Sequence, residues 1–113
     1  MHINERIDGS VAVLTFKGDL LGEPDTTELR QRIANLVSNK VKHAVIDLGG
    51  VSYMNSSGLG AMISALTTMK NSGGNLSLAR VGDKVQNLFI ITKLVKIFDT
   101  HETVEQALAG LKG

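Results

Sequence analysis

The sequence predicts a single α/β domain over residues 1–113, with a mixed sheet of four to five strands and about four helices. Three observations carry this. Short apolar runs of strand length occur at Ile3 to Ile7, Ser10 to Phe16, His43 to Leu48, Leu76 to Ala79 and Val95 to Phe98. Segments with apolar residues at helical spacing lie between and after the later runs. The first two runs are joined by Asp8-Gly9, a tight-turn signal, so the chain opens with a hairpin before strands and helices begin to alternate.

Each element follows from local pattern. In Ser10 to Phe16, Val11 and Val13 point one way and Ala12, Leu14 and Phe16 the other, so both faces are apolar and the strand is buried on both sides. After Pro24, Asp25 and Glu28 make a capping-box pair, and Leu29, Ile33, Leu36 and Val37 line one helical face. His43 to Leu48 is again apolar on both faces. A loop through Gly49-Gly50 leads to a helix from about Ser57 to Asn71, with a buried stripe of Leu59, Met62, Ile63, Leu66 and Met69. Gly73-Gly74 stops that helix. Asp83 caps a helix that turns Val85, Leu88 and Phe89 inward. Thr103 with Gln106 opens the last helix, whose inner face is Val104, Ala107, Leu108 and Leu111.

With 113 residues, 42% of them hydrophobic, the chain can bury one core and is too short for two. A net charge of +1 gives no field to draw it to nucleic acid or an anionic membrane. Phe16, Tyr53, Phe89 and Phe98 are the whole aromatic complement, too few for a base-stacking platform. Cysteine is absent, which excludes disulfides, thiolate metal sites and cysteine catalysis. No apolar run approaches the roughly 18 residues of a membrane span. The start, Met1 to Arg6, lacks the basic-then-apolar layout of a secretory signal, so a cytoplasmic location is expected.

His2, His43 and His101 are scattered, whereas a metal site needs three or four converging ligands. No metal or cofactor is expected. Gly58-Leu59-Gly60 and Gly73-Gly74 fall short of any phosphate-binding fingerprint. Gly58 and Gly60 in a helix's first turn each cost about 1 kcal/mol relative to alanine. That cost fits either the close approach of another backbone or tight packing of the helix on its own sheet.

Ser56 and Ser57 begin that helix, and either could be its N-cap. A nucleophilic role would need a base and an orienting group, and there is no G-x-S-x-G elbow or partner histidine. The chain is therefore not expected to be an enzyme. As the acceptor of a phosphoryl group, a serine here would place roughly −1.5 to −2 charges where unpaired N–H groups and the helix dipole tolerate them. Gly58, Ala61, Ala65 and Thr68 form a stripe of small side chains on the same helix. The stripe serves either a docking partner or a neighbouring helix of the same domain. Docking is the reading taken forward, because Ser56 heads the stripe.

The run Val45-Ile46-Asp47-Leu48-Gly49-Gly50-Val51-Ser52-Tyr53-Met54-Asn55-Ser56-Ser57-Gly58-Leu59-Gly60 closely resembles the signature of bacterial anti-sigma factor antagonists, which are stand-alone STAS domains. The resemblance also covers Gly18-Asp19-Leu20, Gly73-Gly74, Leu88-Phe89 and Leu94 to Phe98. It implies a STAS-like fold and a non-enzymatic protein that binds an anti-sigma factor. That partner is itself a serine kinase carrying its nucleotide, and binding it releases sigma factor. It further implies phosphorylation by that kinase at Ser56 and reversal by a serine phosphatase. Asn55, Ser56, Ser57, Gly58, Ala61 and Ala65 would form the partner-binding surface. Two positions depart from the family pattern. Asn55 stands where an aspartate is usual, and Leu21 where an acidic residue is common. The alternative reading is a STAS-type scaffold or transporter-associated subunit that works without phosphorylation. A small hydrolase or nucleotide-binding enzyme is disfavoured, since no acid, base or phosphate cradle is visible.

Overall fold

The computed structural model describes residues 1–112, Lys112 by its backbone alone. In chain order the elements are β1 (His2–Asp8), β2 (Val11–Lys17), α1 (Asp25–Ser38), β3 (His43–Gly50), α2 (Ser56–Asn71), β4 (Asn75–Ala79), α3 (Asp83–Ile91), β5 (Asp99–His101) and α4 (Val104–Lys112). The strands form one sheet in the order β1-β2-β3-β4-β5. β1 runs antiparallel to β2, with Ile3 opposite Phe16 and Ile7 opposite Ala12. The other pairings are parallel, with Leu14 opposite Ile46 and Ile46 opposite Leu78. This is the mixed α/β sheet that the sequence predicts.

The alternation along β2 and β3 divides the core. Ala12, Leu14, Phe16, Ala44, Ile46 and Leu48 face a large cluster completed by Leu29 and Ile33 of α1, Leu59, Met62 and Leu66 of α2, and Val85 and Phe89 of α3. On the other face Val11, Val13, Val45 and Ala79 pack with Ala107 and Leu108 of α4. Central strands covered on both faces explain the near-continuous apolar runs.

Three local expectations need correction. The run Val95 to Phe98 is not a strand. Lys93 takes φ +62°, Leu94 N–H returns to Phe89 O at 2.8 Å, and Ile97 N–H donates to Leu94 O at 3.1 Å, so the backbone here is turned. Phe98 still fills the core, stacking on Phe89 with ring centroids 5.4 Å apart. The strand lies just beyond, at Asp99–His101, where an edge position asks for no apolar alternation. The Asp25–Glu28 capping box does not form either. Pro24 occupies the cap, Asp25 meets the Met1 amino group at 3.6 Å, and Glu28 takes Arg32 at 3.0 Å. Likewise Gly82, not Asp83, caps α3, and Asp83 serves the first turn by its charge.

The other two helix signals are realised in side chains or backbone. Thr103 Oγ1 accepts the Gln106 N–H at 3.1 Å, and Gln106 Oε1 reaches back to the Glu102 N–H at 3.2 Å. At the end of α2, Gly73 at φ +90° lets its own N–H reach Lys70 O and the Gly74 N–H reach Met69 O, both at 3.0 Å.

Candidate functional site

Two loops meet at the C-terminal ends of β2 and β3, and their backbones are laced together. Gly18, at φ +98°, donates its N–H to Gly50 O at 3.0 Å. Leu20 N–H reaches Tyr53 O and Asn55 N–H reaches Leu20 O, each at 3.3 Å. Asp19 Oδ1 accepts the N–H groups of both Ser52 and Tyr53, at 3.1 and 3.0 Å. A carboxylate with two backbone donors is a charge-assisted clamp, and it fixes the path of the chain into α2. Below it, Asp47 is buried with its carboxylate gripped by Arg80 through two contacts of 2.8 Å and by the Gly49 N–H at 3.0 Å.

Asn55 is the N-cap of α2. Its backbone is extended and its Oδ1 accepts the Gly58 N–H at 3.0 Å, while its Nδ2 donates to Leu21 O at 2.8 Å. Ser56 and Ser57 are therefore the first two helical residues and neither is the cap. Both are exposed, and neither hydroxyl has a hydrogen-bond partner among the described residues. Leu21 and Tyr53, the exposed large hydrophobic side chains of the two loops, stand 52% and 46% exposed, whereas Leu20 and Met54 of the same loops are buried. The helix start thus offers free hydroxyls, N–H groups without intrahelical acceptors, and an apolar rim.

The stripe of small residues is placed differently from the docking expectation. Gly58, Ala61 and Ala65 are buried, and Thr68 is half-buried. A Cβ on Gly58 would lie 2.4 Å from Leu20 O, so the backbone that approaches this glycine closely is the domain's own. Ala65 shares a cleft with Ile33 and Ala34, because α1 packs along this side of α2. Gly58 therefore serves contact with the loop that carries Leu20, Ala65 serves contact with α1, and with Ala61 fully buried none of the three offers a free surface. Small side chains let the two helices approach, and spacing alone does not reveal which neighbour takes the groove. Ile63, assigned to the buried stripe, is only partly covered.

A cavity of about 280 Å³ opens between the first turns of α1 and α2, lined by Glu23, Thr26, Arg30, Ser56, Ser57 and Gly60 among others. Glu23 accepts the hydroxyls of Thr26 and Thr27 and lies 3.8 Å from Arg30. Those contacts, Thr26 first, hold its carboxyl below the usual carboxylate range. The sequence reading missed Arg30 and Asp19 as site residues. Asp19 had a weak signal in the turn-forming Gly18-Asp19 pair; Arg30 had none, since only the packing of α1 on α2 brings it to the cavity that Ser56 also lines. Among the described residues no three histidine or acidic side chains converge to hold a metal, and no helix is long and apolar enough to cross a membrane.

Residues 2–107 match the model of the STAS domain. The anti-sigma-B factor antagonist of Bacillus subtilis is 41% identical over 54 residues, which is 48% of this chain and 50% of that protein. The anti-sigma factor antagonist SpoIIAA of Bacillus, solved in unphosphorylated form, superposes with a TM-score of 0.77 at 16% identity over 99% of both chains. Its phosphorylated form gives 0.75 at 16% identity, over 96% of this chain and 97% of that one. A sulfate transporter family protein from Wolinella succinogenes gives 0.81 at 14% identity, over 95% and 88%. These structural likenesses establish the shared fold. With the family's model matching nearly the whole sequence, the chain belongs to the STAS domain family.

Proposed function

We propose that this protein is an anti-sigma factor antagonist. It binds a serine-kinase-type anti-sigma factor, thereby releases sigma factor in the cytoplasm, and is switched off when that kinase phosphorylates Ser56. A serine phosphatase restores it. The observation that carries the reading is the division of labour at the start of α2: Asn55 does the capping, so the Ser56 hydroxyl is exposed and free to be modified without cost to the helix. Relatives named as anti-sigma factor antagonists, and a structural neighbour solved with and without phosphate, support it.

The contact surface is Asn55, Ser56 and Ser57, extended by Leu21 and Tyr53 on the adjoining loops. A phosphate at Ser56 would be tolerated by the helix dipole but would have to be desolvated under a docked partner, so its penalty falls on binding. The second reading, a scaffold or transporter-associated subunit acting without phosphorylation, draws on the transporter-family neighbour.

Calorimetry against the kinase-type partner with nucleotide separates the two. Unmodified protein and Ser56→Ala should bind alike, Ser56→Ala should resist the kinase, and the phosphorylated protein should bind at least tenfold more weakly. Ser57→Ala should still be phosphorylated. Equal binding of phosphorylated and unmodified protein would leave the scaffold as the better reading.

A further inference from the structure

We propose that Arg30 is the internal receptor for the phosphate on Ser56, exchanging its contact with Glu23 for one with the phosphoryl oxygens. This rests on the reading that Ser56 is the modified residue. Arg30 and Ser56 belong to different helices yet line the same cavity of about 280 Å³. Arg30 is the cation of that lining, and its guanidinium is half-exposed and so able to move. Gly60, one turn beyond Ser56, has no side chain and open space around it, so the cavity wall beside the serine is clear.

The present contact of Arg30 is weak enough to be exchanged. Its Nη1 lies 3.8 Å from Glu23 Oε1, at the outer limit of an ion pair. Glu23 does not depend on it, because the hydroxyls of Thr26 and Thr27 stabilise its carboxylate more than Arg30 does. A phosphate brings roughly −1.5 to −2 charges and three acceptor oxygens, and the guanidinium fork suits them better than one distant carboxylate oxygen. Without Arg30 that charge would face the Glu23 carboxylate across the cavity unscreened. With Arg30 engaged, the modified side chain is held against its own domain.

The test uses full-length protein with phosphoserine installed at position 56 by genetic encoding, which requires no kinase. The second ionisation of the phosphate, roughly 6 when unperturbed, is followed by phosphorus NMR. A neighbouring cation favours the dianion, so Arg30→Gln should raise that midpoint by about half a pH unit or more relative to the parent. Arg30→Lys, which keeps the charge and loses the fork, should fall between them. Circular dichroism melts confirm that each variant is folded. Coincident midpoints in parent and folded Arg30→Gln would overturn the proposal. Partner calorimetry on the same samples keeps the two ideas apart: weakened binding with coincident midpoints sinks the Arg30 contact alone, whereas undiminished binding of the phosphorylated protein sinks the switch and leaves the NMR result standing.

Discussion

Asn55 ties Leu21 to the start of α2: its Nδ2 donates to Leu21 O at 2.8 Å while its Oδ1 caps the Gly58 N–H at 3.0 Å. One amide thus does two jobs that no carboxylate can do together, since a carboxylate has no proton to give the Leu21 carbonyl. The asparagine at 55 and the backbone of the loop that carries Leu21 are therefore physically connected. The amide fixes the loop that displays the apolar side chain.

Asn55→Asp should keep the cap, where a negative charge suits the helix N-terminus, and lose the tie to Leu21. Its stability should stay within about 1 kcal/mol of the parent, while amides of residues 20 to 22 exchange faster. Asn55→Ala loses both bonds and should cost about 1–2 kcal/mol. Denaturant melts with hydrogen exchange by mass spectrometry check the pair. Unchanged exchange in Asn55→Asp would mean that the backbone lacing alone holds the loop.

Gly58 and Gly60 should respond to alanine with opposite signs. At Gly58 the added Cβ meets Leu20 O at 2.4 Å, and overpacking of this kind costs about 1–3 kcal/mol. At Gly60 nothing lies within 4 Å, so alanine should stabilise by about 0.5–1 kcal/mol through helix propensity. Melting curves of the two single variants decide it.

The legibility of this fold was uneven for physical reasons. Strands buried on both faces, such as β2 and β3, announce themselves because nearly every central residue is apolar, the buried Asp47 being paired with Arg80. β5 does not, since Asp99-Thr100-His101 at the sheet edge carries no burial pattern, while the apolar run before it fills the core from a turn. At the site, helical pattern marked Ser56 and Ser57 together as a helix start, and only the family resemblance singled out Ser56. The stripe of Gly58, Ala61 and Ala65 was legible as small residues but not as to partner, because helical spacing fixes a face and only tertiary packing fixes what covers it. Asp19 and Arg30 act across loops and helices distant in sequence, where local pattern is silent.

Packing on α2 gives a further contrast. Leu66, 5% exposed, should cost about 2–5 kcal/mol on truncation to alanine. Ala61→Leu should also destabilise, by about 1–3 kcal/mol, because Ala61 is fully buried and its packed surroundings have no room for a larger side chain. Half-buried Thr68→Ala should change stability by less than about 0.5 kcal/mol. An Ala61→Leu variant of full stability would return this stripe to the free surface.

The pH response of Glu23 follows from its hydroxyl partners. The Thr26 hydroxyl first, then that of Thr27, hold the folded-state pKa below the ordinary carboxylate value, with Arg30 adding less. A group whose folded pKa is depressed contributes its stabilisation above the unfolded pKa and loses it as pH falls through the folded one. The contacts of Glu23 should therefore persist through neutral and mildly acidic pH and fail only below the usual carboxylate range. Thr26→Val keeps the buried shape and deletes the leading donor, so the Glu23 midpoint should move up toward the ordinary value. Carbon NMR titration of the Glu23 carboxyl, in parent and variant, measures this directly. Arg30→Gln should move the same midpoint less than Thr26→Val does. The reverse order would mean that Arg30, and not the threonines, anchors Glu23, and that releasing Arg30 to a phosphate would carry a larger penalty than the geometry implies.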